Sequence, residues 1–240
     1  MAKLNVAAVI EQAVSEVASA VVDIQRALVW EDSTEYLLWR ELSACILGSR
    51  VQFELARSAV RHLDRSGHLR SIQKERCYTR IEKKISSELR KPLYLPLKSD
   101  GTKRSFTFPN IRSRQLRLTA ESLYGSGKSI KRILHSSGDE YAARKSIMDI
   151  SAGVGPKQAS LFLRNIGYSD NLAILDSHVV RFMRFLRMLS RTPRHFGSLS
   201  HYERTENTLR EYSNTLGIHL ASLDTAIWIV MRVYQKEFAA

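Results

Sequence analysis

Almost every uninterrupted stretch of this chain repeats its apolar residues at three- and four-residue intervals, the spacing that lines one face of an α-helix. Residues 5–28 do so through Val9, Ile10, Ala13, Val17, Ala20, Val21 and Ile24. Residues 34–47 are richer, with Tyr36, Leu37, Trp39, Leu42, Cys45 and Ile46, and predict a buried central helix. Residues 52–64 follow with Phe53, Leu55, Ala56, Ala59, Val60 and Leu63. The same spacing predicts helices over 73–90, 110–124, 126–136, 139–150, 156–166, 177–190, 201–216 and 220–236. Strand-like alternation is confined to Arg104–Phe108 and stops at Pro109. The fold class that follows is all-α, with about ten helices.

A chain of 240 residues allows one large domain or two small subdomains sharing an interface. Its 44% apolar content is enough for a core and excludes wholesale disorder. No apolar run approaches the roughly 18 residues of a membrane span. The opening residues carry no signal-peptide core. Cys45 and Cys77 form no metal-ligand spacing, exclude a four-cysteine iron–sulfur cluster and suit a reduced, intracellular compartment.

Charge is distributed unevenly. Residues 1–59 hold 5 basic and 8 acidic side chains, residues 60–146 hold 21 and 8, and residues 147–240 hold 11 and 8. The net charge of +13 therefore equals that of the middle third alone. Acidic partners are too few there to neutralise the block, which predicts a polyanion as partner. Arg112, Arg114, Lys131 and Arg132 are candidate phosphate contacts. The Pro- and Gly-punctuated stretch Lys91–Thr102 reads as a surface loop between helical blocks.

The most specific local signal is Ile150-Ser151-Ala152-Gly153-Val154-Gly155-Pro156-Lys157-Gln158-Ala159, with a helical pattern on either side. Two glycines two apart permit a tight turn. Pro156 suits the first position of the second helix, where no amide donor is needed. The free amides of that helix start can bind an anion. The segment reads as a helix–hairpin–helix, which grips a nucleic-acid backbone without reading sequence.

Lys157 falls in the first turn of the second helix, against the positive end of its dipole. That placement and partial burial both favour the free amine over the ammonium form of a group that ordinarily titrates near ~10.4, which makes it a better nucleophile. The plainer reading is a surface lysine touching phosphate. Nineteen residues on, the apolar run Leu172–Leu175 delivers Asp176 to the start of another helix. Asp176 can cap that helix. Facing Lys157, it could instead stabilise positive charge developing on a sugar or take part in proton transfer. His178 belongs to the same helix start and is either structural or a phosphate contact.

Trp39–Ile46 (WRELSACI), Phe108–Arg112 (FPNIR), Gly153–Gly167 (GVGPKQASLFLRNIG), Ala173–His178 (AILDSH) and Leu223–Met231 (LDTAIWIVM) together resemble the helix–hairpin–helix DNA glycosylases with a catalytic Gly/Pro-Asp motif. The resemblance is to the 8-oxoguanine DNA glycosylase branch, especially the short type-2 form without an N-terminal β domain. It implies one glycosylase domain over 1–240, with a central DNA-binding part at about 30–150. A second helical part would comprise 1–29 plus 151–240, and the cleft between the two would take a flipped nucleotide. It implies a lyase-type DNA glycosylase in which Lys157 attacks the sugar C1′ and forms a Schiff base, and Asp176 stabilises the oxocarbenium-like transition state and helps activate the amine. β-Elimination would then nick the strand. Gly153, Gly155 and the backbone of Gln158 would clamp phosphate, and His178 would hold another. Trp228 would stack on the flipped base, with core packing among Ile227, Val230 and Met231 as the alternative. The implied partner is double-stranded DNA carrying a modified base, bound by a monomer in the cytoplasm with no membrane and no required cofactor. A monovalent cation, K+ or Na+, would sit on the carbonyls of Asp149, Ser151 and Val154.

Two departures bear on the substrate. The loop that in this family reads Ser-Ser-Gln or similar is Gly48-Ser49-Arg50-Val51-Gln52 here, so Arg50, or else Gln52, would fill the gap left by the flipped base. The type-2 enzymes end in a lysine that helps hold 8-oxoguanine, whereas this sequence ends Lys236-Glu237-Phe238-Ala239-Ala240. Both weaken 8-oxoguanine as the substrate and keep another altered base in view. One such base is the bulky glucosylated cytosine that some prokaryotic relatives remove from phage DNA. An alternative of another class is a helix–hairpin–helix DNA-binding protein without catalysis.

Overall fold

The computed structural model describes residues 6–21, 29–75, 77–190 and 196–238. Ile24 and the side chains of the Lys236–Ala240 end lie outside the described residues. In chain order the elements are α1 (Val6–Val21), α2 (Glu35–Gly48), α3 (Phe53–Arg65) and α4 (His68–Ser71), the last continued by a 3-10 turn. Then come α5 (Tyr78–Arg90), α6 (Pro109–Ala120) with a terminal π turn, α7 (Ile130–Ser136), α8 (Glu140–Ile150) and α9 (Pro156–Asn165). The chain finishes with α10 (Ser177–Phe185), α11 (Leu199–Thr215) and α12 (Leu220–Phe238). Among the described residues β pairing is limited to a single bridge between Tyr94 and Arg104. The protein is all-α, and the alternation at Arg104–Phe108 amounts to that bridge.

Helix starts follow local chemistry. Thr34, Ser129, Asp139 and Ser198 each accept a bond from an amide three residues on, the usual reason such residues precede helices. Pro109 and Pro156 open α6 and α9, where proline loses no hydrogen bond. Glu35 serves α7 from a distance: its carboxylate accepts from the amides of Ile130 (2.8 Å) and Lys131 (3.0 Å).

The chain divides into two units, Leu28–Ile166 and Met1–Ala27 with Gly167–Ala240. In the first, α2 is central, as its apolar density predicts: Leu38, Trp39, Leu42, Cys45, Ile46 and Leu47 are all buried. A fully buried Leu or Ile of this kind contributes roughly 1.5–3 kcal/mol. Trp39 adds an indole N–H bond to the Leu69 carbonyl at 3.0 Å. Helix α9 packs on α2 and α8, so it belongs to this unit, and the boundary expected at 150 lies at Ile166 instead.

In the second unit α1 lies along α12, and α10 and α11 complete the bundle. Its core gathers Ile10, Val14 and Ala18 of α1 with Phe182 and Met183 of α10 and Leu223, Ile227 and Met231 of α12.

Candidate active site

Three side chains on α6, at positions 112, 115 and 119, share one helical face and organise two loops of the Leu28–Ile166 unit. Arg112 is buried, 6% exposed. It donates to the Ser49 carbonyl and, at 2.5 Å, to Gln115 Oε1. Burial, and next the nearby Arg50 guanidinium, pull its pKa below the ordinary arginine value. Thr119 Oγ1 accepts from the Ala152 amide at 3.0 Å. Gln115 lies under Gly153, where an added Cβ would overlap its side-chain amide.

One loop so held is Gly48–Gln52. Its Arg50 adopts φ 58°, the left-handed region that non-glycine residues rarely occupy. Both Arg50 and Gln52 are exposed at this loop.

The other is the hairpin between α8 and α9. Gly153 has φ 72°, so a glycine is needed there on backbone as well as steric grounds. Gly155 precedes α9, and no side chain caps that helix. Its first-turn amides therefore lack the partner that Asp139 supplies to α8. Lys157 is half-buried in this first turn, and so is Gln158. The Lys157 charge reaches Cys45 on α2: burial first, then the Glu41 carboxylate, drives that thiol up, and Lys157 opposes them. Glu41 in turn accepts from Asn165 Nδ2 at 2.7 Å, which ties the far end of α9 to α2.

The Met1–Ala27 and Gly167–Ala240 unit carries Asp176, His178 and Trp228. Asp176 is the N-cap of α10, and its Oδ1 accepts from the amides of His178 (2.8 Å) and Val179 (2.9 Å). The cap uses one carboxylate oxygen and leaves Oδ2 out of it. The preceding segment belongs to no helix or sheet, yet the amides of residues 173–176 are all satisfied. Ala173 N donates to Glu206 Oε1 (2.7 Å), Ile174 N to Asp224 Oδ2 (2.8 Å), Leu175 N to Tyr202 Oη (3.1 Å) and Asp176 N to the Ile174 carbonyl (2.7 Å). His178 is half-buried in the first turn of α10. Trp228 is half-buried on α12 with the Arg232 guanidinium 5.0 Å above its ring, whereas Ile227 and Met231 are fully buried.

Two of the four cations expected to meet phosphate have structural duties instead. Arg112 is inside the unit, and Lys131 Nζ donates to the carbonyls of Glu31 (2.6 Å) and Ser33 (3.1 Å). Arg114 and Arg132 are exposed. Sequence reasoning missed Gln115, Thr119, Glu206 and Asp224. The last carries a signal in hindsight, an acid within the apolar run Leu223–Met231. Among the described residues no cluster of three or more His, Cys, Asp or Glu side chains is placed to hold a metal.

An all-α chain whose hairpin presents an uncapped helix start with a lysine in its first turn, and which caps a later helix with an aspartate, has the parts of a helix–hairpin–helix glycosylase. The model of the 8-oxoguanine DNA glycosylase family matches residues 22–218, and the chain belongs to that family. It is 31% identical over 196 residues to an 8-oxoguanine DNA glycosylase/AP lyase of Saccharolobus islandicus, covering 82% of this chain and 83% of the relative. The corresponding enzyme of Sulfolobus acidocaldarius is 33% identical over 214 residues, covering 85% and 90%. Among solved structures, the 8-oxoguanine DNA glycosylase of Methanocaldococcus jannaschii superposes with a TM-score of 0.66 at 25% identity, covering 96% of this chain and 94% of that one. That of Thermotoga maritima gives 0.64 at 23% identity, covering 93% and 88%.

Proposed function

We propose that this protein is a DNA glycosylase with lyase activity that removes an oxidised guanine of the 8-oxoguanine type from duplex DNA. The observation that carries the reading is Lys157 in the uncapped first turn of α9, inside a family match that also spans Asp176. The free amine of Lys157 attacks C1′ of the flipped nucleotide. The glycosidic C–N bond breaks, and the base departs with the electron pair and takes up a proton. The Asp176 carboxylate stabilises the positive charge that builds on the sugar as that bond lengthens. Loss of the amine proton and opening of the sugar ring leave a Schiff base on Nζ. Removal of a C2′ proton then expels the 3′ phosphate oxygen by β-elimination and nicks the strand.

The remaining parts supply grip. The α9 amides, with Gly153 and Gly155 permitting close approach and the Gln158 backbone beside them, hold a phosphate. His178 holds another near the flipped nucleotide. Arg50, at the strained tip of its loop, fills the vacated stack, with Gln52 as the alternative, and Trp228 stacks on the extruded base. The hairpin fits a monovalent cation. The buried Ser151 hydroxyl has no hydrogen-bond partner, and the Ser151 carbonyl has one lone pair taken by the Val154 amide at 3.3 Å. The carbonyls of Asp149, Ser151 and Val154 are hard oxygen donors of the kind that suit K+ or Na+. Such an ion would add positive charge beside the phosphate. The working unit is a monomer in the cytoplasm.

Borohydride trapping tests the reading. Wild-type protein should give a covalent adduct with a duplex containing 8-oxoguanine, and Lys157→Ala should give none. If the wild type neither traps nor releases base, the enzyme reading fails. A panel that adds uracil, hydroxymethylcytosine and glucosylated hydroxymethylcytosine fixes the base, because the Gly48–Gln52 loop differs from the family pattern.

A further inference from the structure

Two carboxylates lie deep in the unit that carries Asp176. Glu206 is fully buried and Asp224 is 3% exposed. Taking a carboxylate out of water costs several kcal/mol unless its partners are well placed. Among their partners here are backbone amides of the segment that leads to Asp176. Glu206 takes Ala173 N at 2.7 Å and Asp224 takes Ile174 N at 2.8 Å. Tyr202 lies one turn before Glu206 on α11 and clamps the same segment twice: its hydroxyl accepts from Leu175 N at 3.1 Å and donates to the Ala173 carbonyl at 2.6 Å. Arg210, one turn after Glu206, donates to the Asn171 carbonyl at 2.7 Å and pairs with Glu206 at 3.7 Å. The amides of residues 173–175 thus take their hydrogen bonds from side chains of α11 and α12 in place of a helix or sheet ladder.

We infer that Asp224 and Glu206 are positioning residues for the glycosylase reaction: they fix the backbone of 173–175 and, through it, the carboxylate of Asp176. The inference rests on the reaction proposed above. Segment 172–176 belongs to no helix or sheet, so no regular ladder sets its φ and ψ. Apart from the turn bond from Asp176 N to the Ile174 carbonyl, its amides are placed by where two acids and a phenol put their oxygens. The Asp176 side chain leaves the chain one residue beyond the last of these bonds. An error at Ile174 is therefore passed directly to the carboxylate that must meet the sugar.

The two half-reactions separate this role from plain stability. Base release needs Asp176, because positive charge develops on the sugar. Schiff-base formation at a preformed abasic site starts from the open-chain aldehyde, breaks no glycosidic bond and passes through no oxocarbenium ion, so it needs Lys157 far more than Asp176. The experiment measures single-turnover base release from an 8-oxoguanine duplex, borohydride trapping on an abasic duplex, and the thermal midpoint. The proteins are the wild type, Asp224→Ala, Asp224→Asn, Glu206→Gln and Asp176→Asn.

Asp224→Ala should lose about 100-fold in base release, the scale of an ångström-sized misplacement, and keep trapping within about threefold. That pattern should match Asp176→Asn. Asp224→Asn keeps a carbonyl oxygen for Ile174 N and can turn its NH2 toward the Thr225 hydroxyl, so it should recover most of the rate; Glu206→Gln should behave likewise. Base release by Asp224→Ala at the wild-type rate overturns the inference. So does a parallel fall in release and trapping that follows the thermal midpoint, which marks a merely structural pair. If Asp224→Ala does not fold, a rate for Asp224→Asn or Glu206→Gln that falls in step with the midpoint overturns it equally. An inactive wild type sinks the parent reading instead, and is recognised because no adduct forms with either duplex.

Discussion

Arg112 donates to the main-chain carbonyl of Ser49, sixty-three positions away in sequence, and in the same stroke to Gln115 on its own helix. The loop proposed to enter the DNA stack is therefore held by the guanidinium of a buried arginine. Arg112→Met keeps the aliphatic stem but leaves the Ser49 carbonyl and the Gln115 amide unpaired. Denaturant unfolding should show a loss of about 1–3 kcal/mol. DNA affinity should fall as well, although no charge on the exposed surface has changed.

Arg114 supplies the contrast from the same helix, because it is exposed. Arg114→Ala should leave stability within about 0.5 kcal/mol of wild type. If its guanidinium meets a phosphate, binding should weaken equally on all sequences, and the slope of log K against log salt should become shallower by about 0.9. An unchanged slope would place Arg114 off the duplex.

The hairpin makes a separable prediction. Gly153→Ala carries two penalties, the left-handed backbone at φ 72° and the collision with Gln115. The first is about 1–2 kcal/mol and does not depend on the neighbour. Adding Gln115→Ala should remove the second penalty only. In a double-mutant cycle read by thermal or denaturant unfolding, Gly153→Ala should cost less in the Gln115→Ala background than alone. Equal costs in both backgrounds would mean that Gln115 simply swings aside.

What was legible in the sequence is what short-range chemistry dictates. Apolar spacing located nearly all the helices, because a face of an α-helix repeats every 3.6 residues whatever it packs against. Gly153 and Pro156 announced the hairpin because their backbone preferences are local. The limits came where distant partners decide. Arg112 and Lys131 read as members of a basic block, and only the fold shows that their charges are spent on carbonyls of Ser49, Glu31 and Ser33. Glu206 sits in a helix dense with polar residues, so nothing near it signals burial. The family resemblance places helix α9 in the second half, whereas its packing on α2 and α8 places it in the first.

Acid should weaken the fold through α5. Glu88 accepts from Lys91 Nζ at 2.6 Å and bonds His62 Nε2 at 2.8 Å. These two bonds, Lys91 first, hold the carboxyl below its ordinary pKa. A carboxylate lowered on folding adds stability above its unfolded pKa and loses it as pH falls through the folded one. His68 acts in the same direction, since burial lowers its pKa and disfavours the charged form. Glu88→Gln should lower stability at neutral pH by no more than about 1 kcal/mol and flatten the decline of unfolding free energy below the ordinary carboxylate range. An acid limb as steep as that of wild type would show that other groups govern it.

Asp176 is a helix cap by direct observation and a catalyst by proposal, and the two roles predict different mutants. Both cap bonds go to Oδ1, from the amides of His178 and Val179. Asparagine caps as well as aspartate, so Asp176→Asn should keep the thermal midpoint close to wild type, whereas Asp176→Ala should cost about 1 kcal/mol. Asparagine is neutral, however, and cannot offset the positive charge that builds on the sugar as the base departs. Base release should therefore collapse in both variants, by about 100-fold or more, the scale seen when a single group that stabilises transition-state charge is removed. Stability measured by melting and release measured in a single turnover would then be uncorrelated across the pair. If Asp176→Asn releases base at the wild-type rate, the carboxylate has no task beyond starting α10, and the charge on the sugar must be met by another group.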